Sequence, residues 1–223
     1  MDAAQARACW RSARTVCFDV DSTVSPDEAI DVLAAHAGVA AQVAELTRAA
    51  MGGTRTFQDA LADRLALIRP TPAMVAACLR AHPPRLTPGI ADLIGLLHRQ
   101  GAEVHLVSGG FRPFIEPLAA ALAIAPARIH ANAFVFAASG ACLGADPAQP
   151  TCRSGGKAEV MRRLLAAGAP TPLAMVGDGM TDIEARPPAD LAIGFGGVIE
   201  RPAVRARADW YVTDLAELAA ARG

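Results

Sequence analysis

Two carboxylates spaced i and i+2, Asp19 and Asp21, follow directly on the apolar run Val16-Cys17-Phe18, and two hydroxyls, Ser22 and Thr23, come next. Such a run reads as a buried strand whose C-terminal end opens into a polar loop. In open α/β sheets that edge is where ligands bind. Two carboxylates there are costly unless a metal or a reaction uses them. Three later segments have the same form. Val107-Ser108-Gly109-Gly110-Phe111 ends a second apolar run and opens a predicted helix. A hydroxyl and backbone N–H groups at a helix N-terminus suit a phosphate. Ser154-Gly155-Gly156-Lys157 opens another predicted helix and brings a cation. Val176-Gly177-Asp178-Gly179-Met180-Thr181-Asp182 ends a further run with two more carboxylates.

A phosphate group and four carboxylates cannot share a dry site without cations. A hard divalent ion with oxygen ligands, Mg²⁺ above all, resolves the conflict. Carboxylate nucleophile, neighbouring acid and metal together mean phosphoryl transfer through an aspartyl-phosphate. Each segment alone has a plainer reading. Asp19 and Asp21 are also ordinary loop carboxylates. Ser108-Gly109-Gly110 is also a tight turn with an N-cap. Asp178 and Asp182 are also a Gly-Asp-Gly turn and a helix-start charge. Lys157 alone reads as solvated, and a Walker pattern fails because position 151 is threonine. The order of the four segments is what favours chemistry.

The elements that must position these residues are legible as alternation. Strands are predicted at Thr15–Val20, Glu103–Val107, Ala131–Phe136, Leu173–Val176 and Leu191–Phe195, and helices at Gly89–Gln100, Phe111–Leu122 and Gly155–Ala167. This implies an α/β fold with a parallel sheet and right-handed crossovers. Ser139-Gly140 suggests a hairpin on its edge. Trp210–Val212 reads as a late strand before a helix at Leu215–Arg222. Between the first two strands, helical patterns at Pro26–His36, Val39–Met51, Thr56–Ile68 and Pro72–Arg80 exceed what one crossover needs. Residues 26–81 therefore read as an inserted helical lid over the sheet's functional edge. Residues 1–25 and 82–223 form the core. Ser25-Pro26-Asp27-Glu28 makes a capping box with Pro at N1 and Glu at N3.

Composition narrows the class. The formal net charge is −1 and aromatics are 4%, so neither a field for nucleic acid or anionic lipid nor a base-stacking surface is present. A small-molecule ligand fits better. The five cysteines are scattered and never spaced C-x-x-C, which argues against a disulfide framework or a zinc site and for a reducing cytoplasm. No secretory signal or uncharged spanning stretch is expected.

The four segments resemble the haloacid dehalogenase superfamily of phosphotransferases. The match is closer still to its phosphoserine phosphatase family and runs over most of the chain. Further segments carry it: Met51-Gly52-Gly53, Arg64-Leu65-Ala66-Leu67-Ile68, Leu86-Thr87-Pro88-Gly89-Ile90, Pro187-Pro188-Ala189-Asp190 and Gly194-Phe195-Gly196-Gly197. The resemblance implies a Rossmann-like core with an inserted cap, and Mg²⁺-dependent hydrolysis of O-phospho-L-serine, the last step of serine biosynthesis. It implies that Asp19 is the nucleophile and Asp21 the general acid and base. Mg²⁺ would be held by the Asp19 side chain, the Asp21 backbone carbonyl and Asp178, with Asp182 behind them. Ser108, Gly109, Gly110 and Lys157 would grip the phosphoryl group, with Thr181 nearby. Glu28 and Arg64 would take the substrate's ammonium and carboxylate, and Met51, Gly52 and Phe57 would line the lid side. From the residues alone Glu28 reads first as a helix cap, and only the resemblance turns it towards substrate; Arg64 equally snorkels to solvent. By analogy alone the family suggests a homodimer. Rival readings are a phosphatase for phosphothreonine, phosphohomoserine or a sugar phosphate, a dehalogenase, and a phospho-accepting regulatory domain.

Overall fold

The computed structural model describes residues 1–51 and 56–223, with backbone only at 49–51. In chain order, α1 (Ala3–Ser12) leads to β1 (Thr15–Phe18). Four helices follow: α2 (Ala29–His36), α3 (Ala40–Met51), α4 (Phe57–Ile68) and α5 (Pro72–Ala81). Next come α6 (Ile90–Arg99), β2 (Glu103–Phe111), α7 (Arg112–Ala121), β3 (Ile129–Asn132), β4 (Phe134–Phe136) and β5 (Cys142–Ala145). The chain closes with α8 (Gly156–Ala166), β6 (Leu173–Gly177), α9 (Met180–Ile183), β7 (Leu191–Phe195), α10 (Pro202–Arg207), β8 (Trp210–Val212) and α11 (Leu215–Ala220). Among the described residues, no helix is long and apolar enough to cross a membrane.

Six strands form one parallel sheet in the order β3-β2-β1-β6-β7-β8. The winding reverses between β1 and β6, so a crevice opens at their C-terminal ends, where Asp19 and Asp178 emerge. Period-2 burial explains the layers. Val16 and Phe18 of β1, with Ala174 and Val176 of β6, enter the apolar cluster beneath α1, α6 and α11. Cys17, Leu173 and Met175 enter the opposite cluster against Val160, Met161 and Leu164 of α8. Helices α2–α5 enclose a cluster of their own, with Leu33, Val43, Leu61, Leu65 and Val75 packed onto Phe111 and Phe114.

Several local expectations are corrected. Helix α1, which the sequence reading did not include, is real: the Asp2 side chain accepts from the Gln5 N–H in a capping box, and Trp10 donates to the Leu218 carbonyl at 2.8 Å. The proposed capping box at Ser25–Glu28 does not form. The helix starts at Ala29, with Glu28 itself at the N-cap and making no capping bond. The Glu28 carboxylate instead accepts from the Ser22 hydroxyl at 2.8 Å. The run Ala131–Phe136 breaks in two, because β3 joins the main sheet while β4 pairs antiparallel with β5. That hairpin is a separate two-stranded sheet, not an edge of the first. It is pinned by Phe134 stacking on Phe111, ring centroids 3.8 Å apart. Finally, the second strand does not stop at Val107, although Phe111 does lead into the expected helix as its N-cap. Strand β2 continues through Ser108–Phe111, and α7 begins at Arg112.

Candidate active site

Four loops at the C-terminal ends of β1, β2 and β6 and at the start of α8 meet in one cavity of about 240 Å³. Its walls include Asp19, Asp21, Gly109, Gly110, Lys157, Asp178, Gly179 and Thr181. Glu28, Phe57, Leu61 and Arg64 close it from the helical insertion. A second cavity, about 380 Å³, lies beyond Asp21 where the chain enters and leaves the insertion, between Asp27, Pro84, Arg85 and Phe114.

Asp19 is held where β1 ends: its N–H bonds the Val176 carbonyl at 2.9 Å, and its Oδ1 accepts from the Val20 N–H at 2.7 Å. Ser22 then adopts a left-handed conformation, φ 55°, unusual for a residue with a side chain. That turn brings its hydroxyl to Glu28. Asp21 Oδ1 accepts from the Ala29 N–H at 3.0 Å, so the loop carboxylate is tied to the first turn of α2. The Asp21 carboxyl also lies against Gly110, where a Cβ would come within 2.7 Å of its Oδ2. Only glycine allows that approach.

Ser108, Gly109 and Gly110 form a bulge. The β2–β3 register passes from Val107↔His130 to Phe111↔Asn132, leaving three residues opposite one. Their orphaned backbone groups are met locally. The Gly110 N–H donates to Ser108 Oγ at 2.8 Å, and the buried Asn132 amide donates to the Gly109 carbonyl at 2.7 Å. Across the cavity, Gly155 at φ 73° starts α8 and places Lys157 in its first turn. The Lys157 ammonium lies 2.8 Å from Asp19 Oδ1 and 2.6 Å from Asp182 Oδ1. Asp182 folds back over Gly177, where a Cβ would meet its carboxyl at 2.2 Å, and accepts from the Gly179 N–H at 2.9 Å. Arg201, from the loop after β7, bonds Asp178 Oδ2 at 2.8 Å.

The charge balance of this site is narrowly negative: Asp19, Asp21, Glu28, Asp178 and Asp182 against Lys157, Arg201, Arg64 and Arg153. The carboxyl pKa values respond. Asp21 is pushed well above the ordinary aspartate range by burial and then by Glu28, against the pull of the Ala29 N–H. Glu28 and Asp178 are raised by burial first, with the Ser22 hydroxyl and Arg201 respectively opposing. Asp182 is pushed up to about 8 by burial and by Asp19, although Lys157 touches it. Burial opposes the Lys157 charge, but Asp182 and Asp19 outweigh it and hold the ammonium protonated. Ligand oxygens of Asp19, Asp178 and Asp182 lie within 4.8 Å of one another. An all-oxygen donor set with surplus negative charge fits a hard divalent cation.

Of the residues singled out in the sequence, Asp19, Asp21, Glu28, Phe57, Arg64, Gly109, Gly110, Lys157, Asp178 and Thr181 share this cavity. Ser108 and Asp182 lie directly behind it, fully buried. Arg64 is half-buried with its Nε on the Ala60 carbonyl, so it faces the cavity rather than snorkelling away. Gly52 and the Met51 side chain lie outside the described residues. Sequence reasoning gave no site role to Ser22, Asn132, Thr151 or Arg201. A cation just past the Gly196-Gly197 end of a fifth apolar run was the one usable signal, for Arg201.

The chain matches the haloacid dehalogenase-like hydrolase family model over residues 16–185. It is 49% identical to the phosphoserine phosphatase of Mus musculus over 95% of this chain and 94% of that protein. A solved structure described as DsGPDH of Dunaliella salina superposes with TM-score 0.87 at 35% identity, over 99% of this chain and 38% of that one. A substrate-bound phosphoserine phosphatase complex superposes with TM-score 0.80 at 25% identity, over 94% of this chain and 98% of the other. With its aspartate, glycine and lysine loops gathered at one switch point, the chain belongs to the haloacid dehalogenase-like hydrolases, in the phosphoserine phosphatase family.

Proposed function

We propose that this chain hydrolyses O-phospho-L-serine to L-serine and phosphate, the closing step of serine synthesis, through an aspartyl-phosphate on Asp19. The reading is carried by one observation: a single cavity presents Asp19 and Asp21 side by side, with Lys157 and the Ser108–Gly110 bulge around them. Asp19 attacks phosphorus, and the bond from phosphorus to the seryl oxygen breaks. Asp21, whose raised pKa keeps a proton available, protonates that oxygen. It then takes a proton from water as the water attacks phosphorus and frees Asp19. Lys157, the Ser108 hydroxyl and the Gly109 N–H hold the phosphoryl oxygens while charge shifts among them.

The Asp19 and Asp178 carboxylates and the Asp21 backbone carbonyl would hold Mg²⁺, with Asp182 supporting them and Lys157. When bound, the ion supplies positive charge to the phosphoryl oxygens. Glu28 takes the substrate's ammonium, which restores the carboxylate that burial disfavours. Arg64 takes its carboxylate. Phe57, and by the same reading Met51 and Gly52, exclude water. Residues 26–81 serve as the lid, and residues 1–25 and 82–223 as the core. The cytoplasm is the proposed compartment and a homodimer the proposed assembly.

The test is a phosphate-release screen over phosphorylated metabolites, with magnesium and with EDTA. Phosphoserine should exceed phosphothreonine, phosphohomoserine and sugar phosphates in kcat/KM, and EDTA should abolish release. Undiminished activity in EDTA, or preference for a sugar phosphate, would overturn the reading.

A further inference from the structure

We propose that Thr151 is a positioning residue that couples the two phosphate-gripping segments, Ser108–Gly110 and Lys157; the inference rests on the function just described. The β-bulge at Ser108–Gly110 has no ladder partner to fix it. Its Gly109 carbonyl is instead held by the Asn132 amide at 2.7 Å, and Asn132 is 0% exposed. The Gly109 oxygen can only accept, so it selects the NH₂ side of that amide. The Asn132 Oδ1 then needs a donor in a place water does not reach. Thr151 supplies it: its hydroxyl donates to Asn132 Oδ1 at 2.9 Å, and Thr151 is itself buried.

The other end of Thr151 is equally constrained. It lies in the tight turn Pro150–Cys152, against which the first turn of α8 packs. A Cβ on Gly156 would lie 2.0 Å from the Pro150 carbonyl oxygen and 2.9 Å from the Thr151 Cα. No side chain can be inserted there, so the Thr151 backbone and the residue before Lys157 move together. Gly109, Asn132, Thr151 and Gly156 thus form a continuous contact chain. It sets the distance between the Ser108–Gly109 donors and the ammonium, which serve the same phosphoryl group. The hydroxyl acts through Asn132 and takes no proton from the reaction.

Thr151→Val keeps the side-chain volume and removes the donor; Thr151→Ser keeps the donor. Loss of a donor to a buried acceptor predicts a fall in kcat of about 10- to 100-fold for Thr151→Val. KM should move less than about threefold, because misplaced donors hurt the transition state most. Thr151→Ser should return kcat to within about threefold of the parent. Hydrogen exchange of the Asn132 side-chain amide, read by NMR, should be slow in the parent and in Thr151→Ser and fast in Thr151→Val. Thr151→Ala removes the same donor and replaces Thr151→Val if the latter does not fold. Unchanged kcat and unchanged Asn132 exchange in the donor-less variants would overturn the proposal. So would equal impairment of Thr151→Ser with a matching loss of thermal stability, which marks a packing role. A parent protein that hydrolyses no phosphoserine would sink the proposed function, while the exchange measurement still decides whether Thr151 holds Asn132.

Discussion

Replacing Lys157 by methionine tests the electrostatic core of the site. Lys157 is 7% exposed, and its ammonium lies 2.8 Å from Asp19 and 2.6 Å from Asp182. Methionine fills the same space but leaves two buried carboxylates facing each other. Removing one partner of a buried pair costs about 3–5 kcal/mol. The cost depends on pH with a definite sign. The native Asp182 carboxyl is raised to about 8. A free aspartate titrates near ~3.9, so between these values the metal-free native state binds more protons than the unfolded chain. Stability therefore falls as pH rises through that window. Without Lys157 the Asp182 pKa climbs further. The penalty for Lys157→Met is then largest near pH 8 and shrinks towards pH 5, where the Asp182 carboxyl is neutral with or without Lys157. Urea unfolding of both proteins in EDTA at the two pH values measures this. Turnover with magnesium should fall by at least about 10²–10³-fold, the scale for losing a charged donor to a phosphoryl oxygen. Lys157→Arg should recover part of the stability but little turnover, because a planar fork cannot take the place of a point charge in a closed space. A Lys157→Met protein within about 1 kcal/mol of the parent at pH 8, or with a penalty growing towards acid, would refute the reasoning.

Asp19→Asn should lower single-turnover phosphate release by more than about 10⁴-fold and leave no acid-stable phosphoenzyme, since the amide is no nucleophile. Gly110→Ala forces a methyl to within 2.7 Å of the Asp21 carboxyl. The displaced acid should cost about 10²-fold in kcat with little change in KM, and an unchanged kcat would contradict its assigned place. On the far side of the β2–β3 pair, His105 Nδ1 and His130 Nε2 lie 3.2 Å apart. Burial lowers both pKa values, His130 to about 4. The unfolded chain therefore binds more protons between about 4 and 6.5, and stability is lost as pH falls through that range, by up to about 3 kcal/mol for His130. His130→Gln should flatten that acid limb in urea unfolding at pH 7 and 5; a limb as steep as the parent's would exclude the histidine pair as its source.

Much of this was legible in one dimension. The apolar runs of β1, β2 and β6 are buried on both faces, so they stand out as continuous hydrophobic stretches, and their polar sequels mark the functional edge. Helix ends were readable to within a few residues except where tertiary contacts intervened. Glu28 is the clearest such case. Its spacing from Ser25 satisfies a capping box, yet the Ser22 hydroxyl takes its carboxylate and the Asp21 carboxylate takes the Ala29 N–H. Ser108–Gly110 has the composition of a helix-opening turn but became a bulge because Phe111 still pairs with Asn132.

Chain order alone pointed to phosphoryl transfer: an aspartate pair, a hydroxyl with glycines, a lysine after glycines and a second aspartate pair, each at the end of a predicted strand or the start of a predicted helix. Those are local properties, set by residue type and spacing, and they survive without a fold. What only the tertiary structure decided is which groups share a hydrogen bond, a close approach or a charge. Arg201 on Asp178, Asp182 over Gly177, and Thr151 behind Asn132 join residues between 5 and 23 positions apart. Such pairings depend on the register of neighbouring strands and on where a missing Cβ lets one chain lie on another, and neither is written in the local pattern.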